Sequence, residues 1–223
     1  MKKLIILNGT GGAGKDTFYK YISEYLFQRY NQTSIHYSYV EFTREMLKEY
    51  GIDPSEKTAK YRQLLATINH ALTEYRNIPL RDCCSLIDDM LFKGIDDDPY
   101  EYVNPNEINC IFLDVREPSV IDSFKKLYPN TTTILVDNGR INNSTNEDKN
   151  VKNYLYDYVI FNVTSIDELK LKSEDIAEKL RSTKNIIKCD SETKRNILMG
   201  RWDFWTIILS ERKGHKSVIL YNI

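Results

Sequence analysis

Nine consecutive residues carry the most legible chemistry in this chain. Gly9-Thr10-Gly11-Gly12-Ala13-Gly14-Lys15-Asp16-Thr17 sets four glycines before a lysine, an acid and a hydroxyl. Glycine accepts positive φ, and a run of such residues lets successive backbone N–H groups converge on one point. That is a cradle for a polyphosphate. A helix starting at residue 16 adds the positive end of its dipole, and Lys15 reaches the outer phosphates of a nucleoside triphosphate. Asp16 departs from the usual pattern, in which a Ser or Thr hydroxyl follows the lysine and ligates Mg2+. A carboxylate beside phosphates is repelled unless a cation lies between them. Asp16 is therefore expected to bind Mg2+, directly or through water, or to take the acceptor's proton. Thr17 offers a hydroxyl to the metal or to a donor phosphate. The helix dipole alone would also favour an acid here.

The surrounding elements are those that position such a loop. Leu4–Leu7 is an unbroken apolar run, the pattern of a strand buried on both faces of a parallel sheet. After the glycines, Phe18, Ile22, Tyr25, Leu26 and Arg29 recur at helical spacing. A second strand is expected over 34–40, then helices over about 41–50, 57–76 and 79–93. Glu107–Val115 reads as a third strand whose apolar part stops at Asp114, and Pro118 opens a helix to about Tyr128. Strands follow at 131–136 and 158–163, and Ser165 with Glu168 forms a capping box for a closing helix. Strands alternating with helices over 1–181 predict an α/β, doubly wound parallel sheet. Such sheets bind ligands outside the carboxyl ends of their strands. Asp114 is thus a candidate metal partner and Arg116 a residue at the edge of the same crevice; the alternative is an Asp–Arg pair capping the next helix.

Two stretches break the alternation. Residues 137–153 are polar and turn-rich, longer than the usual connection and lid-like. Residues 182–223 form an extension in which Phe204–Leu209 and Ser217–Tyr221 predict a β-hairpin. Trp202 and Trp205 are expected to pack it against the body or against a second copy in a homodimer. Asp96, Asp97 and Asp98 lack the alternating spacing of a calcium loop and read as a solvated turn. His36, His70 and His215 have no partner at metal-ligand spacing and receive no role.

Composition narrows the class. The 223 residues hold 31 Lys+Arg against 32 Asp+Glu, a net charge of −1, which speaks against a nucleic-acid coat or a polybasic membrane binder. Four cysteines without CxxC spacing read as reduced, mostly buried thiols of a cytoplasmic protein. The opening Met-Lys-Lys-Leu resembles a signal peptide, but its apolar run is too short for one, and no stretch is long enough to span a membrane.

The strand, glycine-rich loop and helix resemble the nucleoside monophosphate kinase group of P-loop proteins. Gly-Lys-Asp-Thr in particular is similar to the bacteriophage-type deoxynucleotide monophosphate kinases. Val40–Gly51, Tyr61–Asn69, the Asp-Val-Arg-x-Pro stretch within Phe112–Pro118, and Tyr158–Leu169 resemble further segments of that family. The likeness covers about 1–181. It implies ATP as phosphoryl donor, Mg2+ as cofactor, and a (deoxy)nucleoside monophosphate as acceptor. It also implies Arg44 and Arg62, with Arg116, as clamps on the acceptor's phosphate, since guanidinium binds phosphate bidentately. Arg140 takes the place of a lid arginine closing over the donor. Lys15, Asp16, Arg116 and Arg140 are then the catalytic set.

Two other readings stand beside this one. One is a P-loop kinase acting on another phosphorylated metabolite, such as a phosphomevalonate-type acceptor. A non-catalytic switch or module would bind ATP to stabilise its fold. A GTPase is disfavoured, because no Asn-Lys-x-Asp motif follows a strand.

Overall fold

The computed structural model describes residues 2–53, 55, 58–92, 108–139, 151–163, 165–199, 207–212 and 215–220. Strands β1 (Lys3–Asn8), β2 (Thr33–Ser38), β3 (Ile108–Asp114), β4 (Thr132–Asp137) and β5 (Tyr158–Phe161) form one sheet in the order β2-β3-β1-β4-β5. Every neighbouring pair in it is parallel. Helix α1 (Lys15–Tyr30) joins β1 to β2. Helices α2 (Glu41–Glu49), α3 (Ala59–Arg76) and α4 (Ile78–Leu91) lie between β2 and β3, and α5 (Pro118–Leu127) between β3 and β4. After β5 come α6 (Ile166–Ser182) and α7 (Ser191–Met199).

β1 is the central strand, and all six of its residues are buried. Alternation sends its side chains to opposite faces. Leu4 and Ile6 join a cluster with Ile87 of α4 and Ile121 and Phe124 of α5. Ile5 and Leu7 join a second cluster with Phe18, Ile22 and Leu26 of α1 and Ile176 and Leu180 of α6. Apolar packing on both faces of a parallel sheet is compatible with a doubly wound fold. The connection from β1 runs toward β2 while that from β3 crosses to β4, so the crevice between the carboxyl ends of β1 and β3 is where the winding changes direction.

Local signals set the helix ends. Ser165 accepts a hydrogen bond from the Glu168 amide at 3.2 Å, as its capping pattern predicts. Thr58 caps α3 through the Tyr61 amide at 3.1 Å. Asn77, at φ 49°, ends α3 and starts α4, with Pro79 in the first turn. β2 stops two residues before the expected Val40: the Tyr39 amide still donates to the Asp114 carbonyl, and the chain then turns into α2 at Glu41.

Beyond α6 the chain stays against the body. The Ile186, Ile187 and Cys189 amides donate to the carbonyls of Lys2, Pro129 and Leu127. Helix α7 has no counterpart in the sequence reading; Asp190 caps its start by accepting from the Thr193 amide at 2.8 Å. Residues Ile207–Arg212 (β6) and His215–Leu220 (β7) pair as a separate antiparallel ladder. Arg140, most of the 137–153 loop, Asp96–Asp98, Trp202 and Trp205 lie outside the described residues. Among the described residues, no helix is long and apolar enough to cross a membrane.

Candidate functional site

The glycine-rich loop leaves the carboxyl end of β1 and enters α1 at Lys15. Asn8 anchors its first turn: its Oδ1 accepts from the Gly9 amide at 2.7 Å, while its Nδ2 donates to the Arg116 carbonyl and to the Tyr156 hydroxyl. One buried amide thus ties the loop to the segment after β3 and to the return of the long 137–153 connection. The Tyr156 hydroxyl in turn donates to the Val151 carbonyl, and burial pushes its ionisation upward, so it stays a neutral bridge.

The second half of the loop is held from β4 and β5. The Asn138 and Asn162 amide groups donate to the Gly12 and Ala13 carbonyls at 3.2 and 2.9 Å. Gly14 adopts φ 98° and serves as the N-cap of α1, with no side chain capping that helix. A polar group nevertheless waits inside the loop. Thr10 is 4% exposed, and its hydroxyl finds no hydrogen-bond partner. Lys15 folds back, its Nζ donating to the Gly9 carbonyl at 3.1 Å. An uncapped helix start, a buried hydroxyl and a folded-back ammonium are groups that an anion can satisfy together.

Asp16 and Thr17 follow in the first turn of α1, and Asp16 is exposed. Asp114, at the end of β3, brings its carboxylate close to that of Asp16. Oxygen and nitrogen donors of Asp16, His36 and Asp114 all lie within 4.8 Å of one another. The Asp114 Oδ1 atom is buried without a hydrogen-bond partner, and His36 Nε2 lies 3.2 Å from it. Two carboxylates beside an anion cradle suit a hard divalent cation such as Mg2+.

Other expected site residues occupy a second patch. Arg44, on α2, pairs with Glu41 at 2.7 Å. Arg62 is exposed in the first turn of α3. The two helices are tied by the Thr43 hydroxyl, which donates to Asn69 at 2.9 Å. Tyr61 precedes Arg62 on α3: it is 7% exposed and its hydroxyl has no hydrogen-bond partner, and burial raises its ionisation while the Arg44 charge opposes that shift. Tyr37 donates to Asp82 at 2.9 Å, and Tyr39 packs edge-on against Phe124.

The loop residues, Asp16, Thr17, Asp114 and Arg116 therefore gather at one crevice, while Arg44 and Arg62 sit on adjoining helices. His36, Asn8, Asn138, Asn162 and Tyr156 were not legible as partners of the loop. His36 reaches Asp114 only through the β2–β3 register, which pairs His36 with Phe112 and Ser38 with Asp114. Compared with protein-family models and with curated proteins, the chain matches none.

Proposed function

We propose that this chain is a P-loop kinase that transfers the γ-phosphoryl group of ATP to a (deoxy)nucleoside monophosphate. The observation that supports the reading is the crevice between β1 and β3, where the glycine-rich loop enters an uncapped helix start and the Asp16 and Asp114 carboxylates come close together. In this reading the backbone N–H groups of 9–17 and the Lys15 ammonium hold the β- and γ-phosphates. Asp16 and Asp114, with the Thr17 hydroxyl, would hold Mg2+, which neutralises phosphate charge during transfer. Arg44, Arg62 and Arg116 hold the acceptor's phosphate, and Arg140 closes over the donor. Such a transfer needs no protein nucleophile; it needs two substrates aligned in line and the charge on the migrating group balanced. The 182–223 extension, with its paired β6 and β7, is the proposed surface for a homodimer, and the chain is proposed to work in the cytoplasm.

The test is ADP release from ATP–Mg2+, screened against all ribo- and deoxyribonucleoside monophosphates, with Lys15→Ala as the blank. Stimulation by one or a few monophosphates in the wild type alone supports the kinase. ATP binding with no stimulated turnover contradicts it and favours another phosphorylated acceptor or an ATP-binding module.

A further inference from the structure

His36 is the member of the crevice that phosphoryl transfer does not require. It lies on β2, two residues before Ser38, and the β2–β3 register sets Ser38 beside Asp114. Side chains two apart on a strand share a face, so His36, Phe112 and Asp114 face the same way, toward the side of the sheet that α1 covers. The Tyr19 ring of α1 fixes the imidazole, with centroids 4.6 Å apart, and packs edge-on against Phe112. One turn earlier on the same helix stands Asp16.

The imidazole Nε2 lies 3.2 Å from Asp114 Oδ1. Both atoms are buried, and neither has a hydrogen-bond partner, so the approach is close without the alignment that an N–H donor would show. Two donors bound to one ion at about 2.1 Å stand about 3.0 Å apart at a right angle and about 3.4 Å apart at a tetrahedral angle. The observed separation falls between. Imidazole with two carboxylates is a donor set for a first-row transition ion, whereas Mg2+ prefers oxygen alone. Asp16 is exposed, which leaves the cluster open to solvent on its side.

We propose that Asp16, His36 and Asp114 form a binding site for a divalent transition-metal ion, with His36 Nε2 as a direct ligand, and that the site fills without nucleotide. The inference rests on the reading of Asp16 and Asp114 as metal ligands. It adds a ligand and a metal class that a Mg2+-only kinase site lacks.

The experiment is a Mn2+ titration of the full chain in the absence of nucleotide, followed by electron paramagnetic resonance. Pulsed spectra of the bound ion report whether an imidazole nitrogen is coupled to it. The wild type should bind one Mn2+ and show that nitrogen coupling. His36→Gln should abolish the coupling and weaken Mn2+ about tenfold or more, while Mg2+, measured by competition, changes far less. Absence of bound Mn2+, or bound Mn2+ without nitrogen coupling in the wild type, overturns the proposal, and that measurement needs no variant to fold. Nitrogen-coupled Mn2+ in a chain that transfers no phosphoryl group keeps this site and removes the kinase reading. Transfer with Mg2+ and no coupling does the reverse.

Discussion

Gly9 and Gly14 have no room for a side chain, for different reasons. A Cβ on Gly9 would stand 2.5 Å from the Val136 carbonyl oxygen, a backbone atom of the next strand that cannot rotate away. On Gly14 it would meet the Asn162 amide nitrogen at 2.4 Å, in a left-handed conformation as well. Gly11 has open space around the same position. Urea unfolding should therefore show Gly9→Ala and Gly14→Ala losing about 1–3 kcal/mol each. Gly11→Ala should stay within about 0.5 kcal/mol of the wild type. Equal losses at all three positions would mean that the loop is not braced by β4 and β5 as described. Asp16 belongs to the same scale. If it holds the cation, Asp16→Asn should raise the Mg2+ concentration needed for half-maximal turnover and lower the maximal rate; an unchanged Mg2+ profile would assign it to the helix dipole alone. The glycines, Lys15 and Asp16 are legible in sequence because they are contiguous, and their spacing is itself the signal. His36 and Asn162 are not, because strand pairing and a crossover bring them to the loop from 21 and 147 residues away from Lys15. Lys3 has no local signal either: it is 1% exposed, its ammonium donating to the Thr183 and Lys184 carbonyls and the Thr183 hydroxyl, 180 residues on.

Among the elements, α4 and the segment beyond α6 are coupled by one carboxylate. Asp88 of α4 accepts from the Tyr128 hydroxyl at 3.0 Å and pairs with Lys188 at 3.2 Å and with Lys194 of α7. Burial opposes its charge, yet the hydrogen bonds from Lys194, Tyr128 and Lys188 outweigh that and hold its carboxyl below the ordinary 3.8. A carboxyl lowered on folding stabilises fully above its unfolded-state value and loses that contribution as pH falls through the folded-state value. Asp88→Asn should cost about 1–3 kcal/mol at pH 7. The gap between the two proteins should narrow from about pH 5 downward, as the wild type loses its charged carboxylate. A gap that is constant with pH would show that the network contributes through packing only. Truncation separates the parts of the extension. A chain ending at residue 199 keeps Ile186 in the core, the Lys3 contacts and the Asp88 pairs, and should melt close to the full chain. A chain ending at residue 181 loses all three and should melt several degrees lower. Strands and long helices are legible from apolar runs and capping residues. Helix α7 is not: six of its nine residues are polar, and it is held by Asp190 and by contacts far back in the chain.

At the scale of the whole molecule, the sheet order puts β1 in the centre and changes the winding direction beside it. The glycine-rich loop, Asp114 and the segment carrying Arg116 leave the sheet at that crevice, where Asp16 of α1 joins them. Alternating strand and helix signals are enough to expect parallel pairing, since crossovers of this length cannot make hairpins. They do not specify the order, which depends on which strand ends up buried on both sides. The net charge of −1 supplies no overall positive field to attract a polyanion. The proposed reaction moves one phosphoryl group. The direct measurement is phosphorus NMR of ATP–Mg2+ incubated with the protein and each nucleoside monophosphate in turn. Growth of a nucleoside diphosphate β-phosphorus signal matched by ADP, absent with Lys15→Ala, is the predicted result. ATP that remains intact with every monophosphate, or that yields only inorganic phosphate, would contradict the kinase.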